Sequence, residues 1–213
     1  MDFELSEQHQ LLRASVREFC EREVRPHDLA WDEAERFPHE LVPKLAELGL
    51  LGIRIPEEYG GFGKDFVTGM LVTEKTGAGH SYSVAMAAHT GIGTLPIVYF
   101  GTPEQKQKYL PRLATGEILG AYALTEAGSG SDAMAARTKA VPSADGSHFV
   151  LNGEKMWITN AGFADLFIVF AQVPAEEAGG KDRRTAITLE QGMPGVRAGN
   201  EGEKVGINGS STR

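Results

Sequence analysis

A chain of 213 residues is long enough to bury a sizeable core and to hold one large or two modest domains. Its 29 acidic against 21 basic residues leave a formal net charge of −8, so no basic stripe can neutralise nucleic-acid phosphates, which argues against nucleic acid as the main partner. The one cysteine, Cys20, cannot close an internal disulfide, the N-terminus has neither a basic nor an apolar leader region, and no run approaches the ~18 apolar residues of a membrane span, so a soluble cytoplasmic protein is expected.

Apolar residues at Leu5, Leu12, Val16, Phe19 and Val24 recur near the helical period, with Ser6 placed to cap the start and Arg25-Pro26 to stop it. Cys20 lies inside that pattern and reads as a packing residue rather than a nucleophile. A second helix is predicted from about Pro38, carrying Leu41, Leu45, Leu48 and Leu51 with Gly49 near its end. Pro43 fits only within its first turns or at a kink. Residues 55–64 are too rich in Gly and Pro to continue a helix and read as a long surface loop.

Helical spacing resumes over 65–76 and again over 81–100. The latter, with Ala85, Ala87, Ala88, Gly91 and Gly93, is small on most faces and is expected to pack centrally. His80 and His89 around it read as hydrogen-bonded residues rather than catalytic ones. Thr102-Pro-Glu-Gln105 carries an N-cap, a proline at the first helical position and a glutamine able to complete a capping box, starting a helix that ends by Gly116.

From about residue 118 the period changes from 3.6 to 2. Residues 118–124, 138–141, 149–151, 155–159, 166–171 and 186–189 are predicted strands, separated by Asp145-Gly146, Asn152-Gly153 and Gly179-Gly180 turn signals. The short charged run at 181–184 reads as a solvated loop. Helices followed by strands imply an α+β protein, with an all-helical domain over 1–116 and a β-rich domain over 117–213. The apolar strand candidate at 205–207 has no partner after it, which predicts that the second domain is incomplete.

Chemistry concentrates in residues 121–160. Gly128, Ser129, Gly130 and Ser131 follow an apolar run and let backbone N–H groups converge on an anion. They formally match G-x-G-x-x-A, but a nicotinamide-type fold needs a βαβ unit, whereas a long helical region precedes this loop and a hairpin follows it; the phosphate cradle is kept and that topology rejected. Glu154 has the spacing of a ribose carboxylate, yet a turn beside Asn152-Gly153 explains it more simply. Trp157 and Thr159 lie two apart, so on a strand they share a face and offer an aromatic plane and a hydroxyl to one ligand. A flavin suits that pair, because an isoalloxazine gains from an aromatic wall and from donors that stabilise charge as it accepts hydride. Trp157 alone would read as a core aromatic.

Ala121-Tyr-Ala-Leu-Thr-Glu-Ala-Gly-Ser-Gly-Ser-Asp132 resembles the first signature of acyl-CoA dehydrogenases, a Leu/Val-Thr-Glu-Pro-x-Ala-Gly-Ser-Asp run, and Leu151-Asn-Gly-Glu-Lys-Met-Trp-Ile-Thr-Asn160 resembles their Leu-Asn-Gly-x-Lys-x-Trp-Ile-Thr-Asn run. Leu48-Gly-Leu-Leu-Gly52, Ile55-Pro-Glu-Glu-Tyr-Gly-Gly61, Phe100-Gly-Thr-Pro-Glu-Gln-Lys-Gln-Lys-Tyr-Leu-Pro111 and Gly206-Ile-Asn-Gly-Ser-Ser-Thr-Arg213 resemble the family in the same order. The resemblance covers essentially the whole chain.

It implies a helical N-terminal domain followed by an antiparallel β-barrel or sandwich-like middle domain, incomplete here, that together cradle FAD. It implies that Tyr122, Leu124, Thr125 and the Gly130-Ser131 loop contact the flavin and its phosphate-bearing arm, that Trp157, Ile158 and Thr159 line its N5 edge, and that Ser131 also meets the acyl-CoA. The implied reaction is α,β-desaturation of an acyl-CoA thioester in fatty-acid β-oxidation, with hydride passing to flavin N5 and electrons to an electron-transferring flavoprotein. A homo-oligomer, dimer or tetramer, is implied for the full-length protein. Residues 140–151 and 163–166 look most similar to long-chain members.

Two departures stand out: the family proline is Ala127, and the alanine before Gly-Ser-Asp is Ser129. The first loosens the preset φ of the loop, and neither removes a contacting group. Glu126 is assigned to the cofactor loop rather than to proton abstraction. The family takes its base, a Glu, from a C-terminal helical domain that this chain ends before, so no catalytic residue is assigned within it, no metal ligand either, and the chain alone is expected to be inactive. The alternatives are an acyl-CoA oxidase, whose reduced flavin reacts with oxygen, and a non-catalytic FAD- or CoA-binding module.

Overall fold

The first half of the chain is helical because its local start signals are satisfied. The computed structural model describes residues 4–175 and 180–213; Gly179 of the expected Gly179-Gly180 turn lies outside the described residues. The helices are α1 (Glu7–Phe19), α2 (Asp28–Glu33), α3 (Leu41–Glu47), α4 (Phe66–Thr76), α5 (His80–Ala87), α6 (Leu95–Phe100) and α7 (Pro103–Ala114). Ser6 caps α1 by accepting the His9 N–H, Asp65 caps α4 by accepting the Thr68 N–H, and Thr102 with Gln105 forms a reciprocal capping box on α7. Each cap is worth about 1 kcal/mol because it satisfies donors that the helix itself cannot. Pro43 sits in the first turn of α3, where its missing N–H matters least.

Two helices widen into π-helical turns, Cys20–Val24 after α1 and Ala88–Gly93 between α5 and α6. The single helix expected over 81–100 is therefore wound as α, π, α, and Pro96, which cannot donate to the preceding turn, stands where α-helical winding resumes. The short helix α2 was not anticipated, because six residues are too few to display a period. His80–Phe100, 21 residues without an acidic, lysine or arginine side chain, is long and apolar enough by length and composition to cross a membrane, contrary to the expectation that no run comes near that size. Its small residues hide this in a residue-by-residue reading. In the fold, Tyr82, Ala85, Met86, His89 and Ile97 from this stretch are all buried in the protein's own interior.

Val16, Phe19, Val24, Leu41, Leu45, Tyr82, Ala85 and Met86 form the core of the helical region. Each of the large aliphatic side chains among them contributes roughly 1.5–3 kcal/mol through burial.

The strands are β1 (Gly120–Ala123), β2 (Lys139–Pro142), β3 (Phe149–Asn152), β4 (Leu166–Val173) and β5 (Arg183–Glu190). β4 pairs along its whole length with β5, antiparallel, and along its other edge first with β1 and then, at Gln172, with β2, both parallel. β2 and β3 form an antiparallel hairpin across the Asp145-Gly146 turn. The α+β order of elements is as expected, but the sheet is mixed and open, not an antiparallel barrel or sandwich. A period of 2 reports burial and carries no strand direction; the long 124–165 connection is what lets β4 lie parallel to β1.

Helices α6 and α7 cover one face of this sheet, where Ile97, Tyr109, Leu110 and Leu113 meet Leu166 and Ile168. The opposite face packs Ala121, Ala123, Phe167 and Val169 against Ile158, Ala161 and Ala164.

Several strand and loop expectations are corrected. Residues 155–159 are not a strand: Trp157 has φ +57° and Asn160 φ +71°, left-handed values that turn the chain, and Thr159 makes only an isolated bridge to Thr212. Residues 205–207 form no strand either, with Val205 fully exposed and Ile207 at φ +58°. Asn152-Gly153 marks a close approach rather than a turn, since a Cβ on Gly153 would lie 2.3 Å from Thr138 Oγ1. Of the run read as a solvated loop, Arg183 begins β5 and Arg184 donates to the Ala136 carbonyl at 2.9 Å.

Candidate functional site

Strand β1 enters from the helical region with alternating sides. Ala121 and Ala123 are small and buried toward Ile158, whereas Tyr122 is half-buried on the other face, its ring 4.9 Å from that of Phe170. Leu124 and Thr125 then leave the strand, and the chain folds into a tight turn in which Glu126 and Ser129 exchange backbone hydrogen bonds of 3.1 and 3.0 Å. Ser129 is buried and its hydroxyl donates to the Asp132 carbonyl at 2.8 Å. The residue that stands in place of a family alanine thus closes the loop from inside, while Ala127, in place of the proline, is exposed and leaves φ free.

Gly128, Gly130 and Ser131 occupy the outer side of this loop. A Cβ on either glycine would meet nothing within 4 Å, and the N–H groups of Gly130 and Ser131 make no hydrogen bond among the described residues. A backbone so bare, with donors uncommitted, can approach an anion closely.

Residues 155–160 dock directly alongside. Met156 N–H donates to the Thr125 carbonyl at 3.0 Å, and Lys155 Nζ donates both to the Leu124 carbonyl at 3.0 Å and to Glu126 Oε1 at 2.8 Å. The Glu126 carboxylate also accepts from Arg137 N–H at 2.5 Å, Thr138 N–H at 3.0 Å and Thr138 Oγ1 at 2.6 Å. Burial by itself disfavours its charge, but the Arg137 N–H, the Lys155 ammonium and the two Thr138 donors outweigh that and hold the carboxyl down at about 2. Glu126 is thus an ionised structural acceptor that splints the 126–131 loop to the Lys155 segment, and a carboxyl held so low is a poor proton acceptor.

Beyond Met156 the left-handed backbone at Trp157 turns its indole outward, 70% exposed, while Ile158 is buried against β1 and Thr159 is half-buried. The tail runs antiparallel to this segment: Ile158 N–H donates to the Arg213 carbonyl at 2.7 Å and Asn160 N–H to the Ser211 carbonyl at 2.9 Å. The fold therefore brings 122–125 and 157–159 together through one backbone hydrogen bond, with the Gly130-Ser131 loop just past the Glu126 turn. It does not bring every side chain together, because Tyr122 and Ile158 lie on opposite faces of β1. Lys155 and Asn160, both inside a quoted motif, were given no role from the sequence; their partners are distant in the chain and leave no local signal.

The remaining titratable candidates are structural. His89 is fully buried between Gly120 N–H, which donates to Nδ1 at 3.1 Å, and the Leu113 carbonyl, which accepts from Nε2 at 3.2 Å; burial pulls its pKa to about 4. His80 pairs with Asp28 at 2.7 Å, and that carboxylate raises its pKa. Cys20 is buried and burial pushes its thiol up to about 11. Among the described residues no group of three or more His, Cys, Asp or Glu could hold a metal ion. A cleft of about 440 Å³ between Arg36, Phe37, Phe163 and Arg213 shares none of the eight residues of this site and is a gap between the 34–39 loop and the tail.

Comparison with known proteins matches residues 6–117 to the acyl-CoA dehydrogenase N-terminal domain and residues 121–213 to the acyl-CoA dehydrogenase middle domain. A probable acyl-CoA dehydrogenase of Bacillus subtilis is 48% identical over 99% of this chain, which spans 34% of that relative. A short-chain specific acyl-CoA dehydrogenase of Clostridium acetobutylicum is 42% identical over 100% of the chain, which spans 55% of it. The crystal structure of an acyl-CoA dehydrogenase complexed with FAD from Bacillus anthracis superimposes with a TM-score of 0.88 at 45% identity, covering 99% of this chain and 35% of that one. The chain thus spans between a third and about half of the length of these relatives.

Proposed function

Since the chain belongs to the acyl-CoA dehydrogenase family, we propose that it forms the flavin-holding part of an FAD-dependent enzyme that introduces an α,β double bond into acyl-CoA thioesters. The observation that carries this reading is the docking of Met156 on Thr125, which sets an exposed indole beside a loop of uncommitted backbone donors. These residues fit FAD. Gly130 and Ser131 offer N–H groups for its diphosphate, Leu124 and Thr125 a backbone edge for the isoalloxazine, and Trp157 and Thr159 an aromatic wall and a hydroxyl. Bound there, FAD supplies a hydride acceptor.

The chain's own residues do the holding and the orienting. Lys155 and Glu126 keep the two segments in register without taking part in proton transfer, and the Ser131 hydroxyl meets the acyl-CoA, a role that its exposure at the loop supports. In the proposed enzyme the α-proton goes to a carboxylate in the part of the relatives' length that this chain does not span, so the chain alone is inactive. The complete protein passes electrons to an electron-transferring flavoprotein, works as a homo-oligomer and resides in the cytoplasm.

Titrating the purified chain with FAD tests the site. The expected outcome is saturable uptake with an induced flavin circular-dichroism band, and the Trp157→Ala, Thr159→Ala double change should weaken uptake about tenfold or more. Unchanged uptake by the double variant counts against the site. With the complete protein, dye reduction without hydrogen peroxide separates a dehydrogenase from an oxidase.

A further inference from the structure

The wall residues Trp157 and Thr159 are joined to the rest of the fold by their neighbour Asn160, which is fully buried. Its Nδ2 donates to the Ala85 carbonyl of α5 at 2.9 Å and to the Gly120 carbonyl of β1 at 3.2 Å. Two carbonyl oxygens converge on one amide atom, so that atom is the nitrogen: turned over, the amide would set oxygen against oxygen twice. Oδ1 has no partner among the described residues, which leaves the two donated bonds to fix the side chain. Its backbone is committed as well, donating to Ser211 and accepting from Phe163 and Ala164 at 3.0 and 2.8 Å. The left-handed φ of +71° is one that asparagine tolerates better than other residues with a Cβ.

Gly120 is the common reference point. Its N–H is taken by His89, its carbonyl by Asn160, and its backbone lies against Gly93, where a Cβ would come within 2.8 Å of Gly120 C. Tyr122 and Leu124 follow it along β1, and Trp157 and Thr159 precede Asn160. One amide nitrogen therefore registers both halves of the site against the same peptide group and against α5.

We propose that Asn160 is a positioning residue for the flavin wall: its Nδ2 sets where Trp157 and Thr159 stand relative to β1 and to α5. The assignment rests on the flavin reading above. Asn160, wholly buried and bonded to α5 and β1, acts through the turn at 157–160.

Two variants and a control test it by FAD titration of the full 213-residue chain, with the flavin circular-dichroism band and the thermal midpoint recorded together. Asn160→Asp replaces the donor with an oxygen facing two carbonyls, and Asn160→Gly keeps the left-handed backbone while removing the amide. Both should bind FAD about tenfold more weakly and alter the flavin band at temperatures well below their own midpoints. Tyr82→Phe, which removes another buried polar atom from α5 with no bond to the turn, should shift the midpoint and leave affinity and band unchanged. If Asn160→Asp does not fold, Asn160→Gly decides. A folded variant with wild-type affinity and band overturns the assignment, as does an equal flavin effect in Tyr82→Phe. An unaltered chain that takes up no FAD overturns the functional reading, and the assignment with it.

Discussion

Two anchors hold the site, and they use opposite chemistry. At the loop, Glu126 and Lys155 form a charged clamp, their side chains 9% and 10% exposed, with three donors on Oε1 of the carboxylate and one on Oε2. At the base of β1, His89 and Asn160 grip the Gly120 peptide with neutral groups that are wholly buried. The charged clamp is tolerated near the surface because four donors surround it; deeper in, where an ion would be far more expensive, the same holding is done by an amide and a neutral imidazole. Loop and wall should therefore respond differently to mutation and to acid.

The largest effect is expected from breaking the clamp on one side. Lys155→Met leaves the Glu126 carboxylate buried without its counter-ion and should destabilise the chain by about 3–5 kcal/mol in chemical denaturation. Adding Glu126→Gln to that variant should recover much of the loss; a double variant as unstable as the single one would show that charge is not the issue.

Acid should separate the two anchors. The folded pKa of His89, about 4, lies below its ordinary 6.5, so the unfolded chain binds the extra proton in between and stability falls as pH drops through that window. The loss is on the order of 3 kcal/mol, and Nδ1 protonation displaces the Gly120 N–H. Glu126 is depressed from 4.5 to about 2, so its contribution is intact above 4.5 and disappears as pH falls toward 2. Stability measured against pH should thus decline in two stages, and a His89→Gln variant should lose the upper stage only.

A smaller effect is expected from crowding the neutral anchor. Gly93→Ala places a Cβ 2.8 Å from Gly120 C, backbone against backbone, and should cost about 1–3 kcal/mol in thermal or chemical unfolding. The smallest belongs to a surface pair: Arg36→Ala removes an ion pair with Glu40 whose partners are each 49% exposed, and the change should stay below about 1 kcal/mol.

What could be read from the sequence follows the range of the forces involved. Ser6 and Thr102 announce helices because each side chain bonds to a backbone group three residues away, and the apolar spacing of Val16 and Phe19 marks a buried stripe. The parallel pairing of β1 with β4 had no such signature, since alternation is blind to direction. Trp157 was read onto a strand because its neighbours favour one, and the turn found there is held by bonds to Ala85, Gly120, Ser211 and Arg213 from elsewhere in the chain. The proposed flavin residues were visible as motifs; the contacts that bring those motifs together, through Lys155, Gly120 and Asn160, exist only in three dimensions.

The outward indole of Trp157 also makes the molecule its own optical probe. The sequence holds two tryptophans, and Trp31 is 9% exposed while Trp157 is 70% exposed. Their emission should divide into a shorter-wavelength component that iodide barely quenches and a longer-wavelength one that it quenches readily. Occupancy of the wall can then be followed on unlabelled protein through the second component, with the first reporting whether the helical core stays intact.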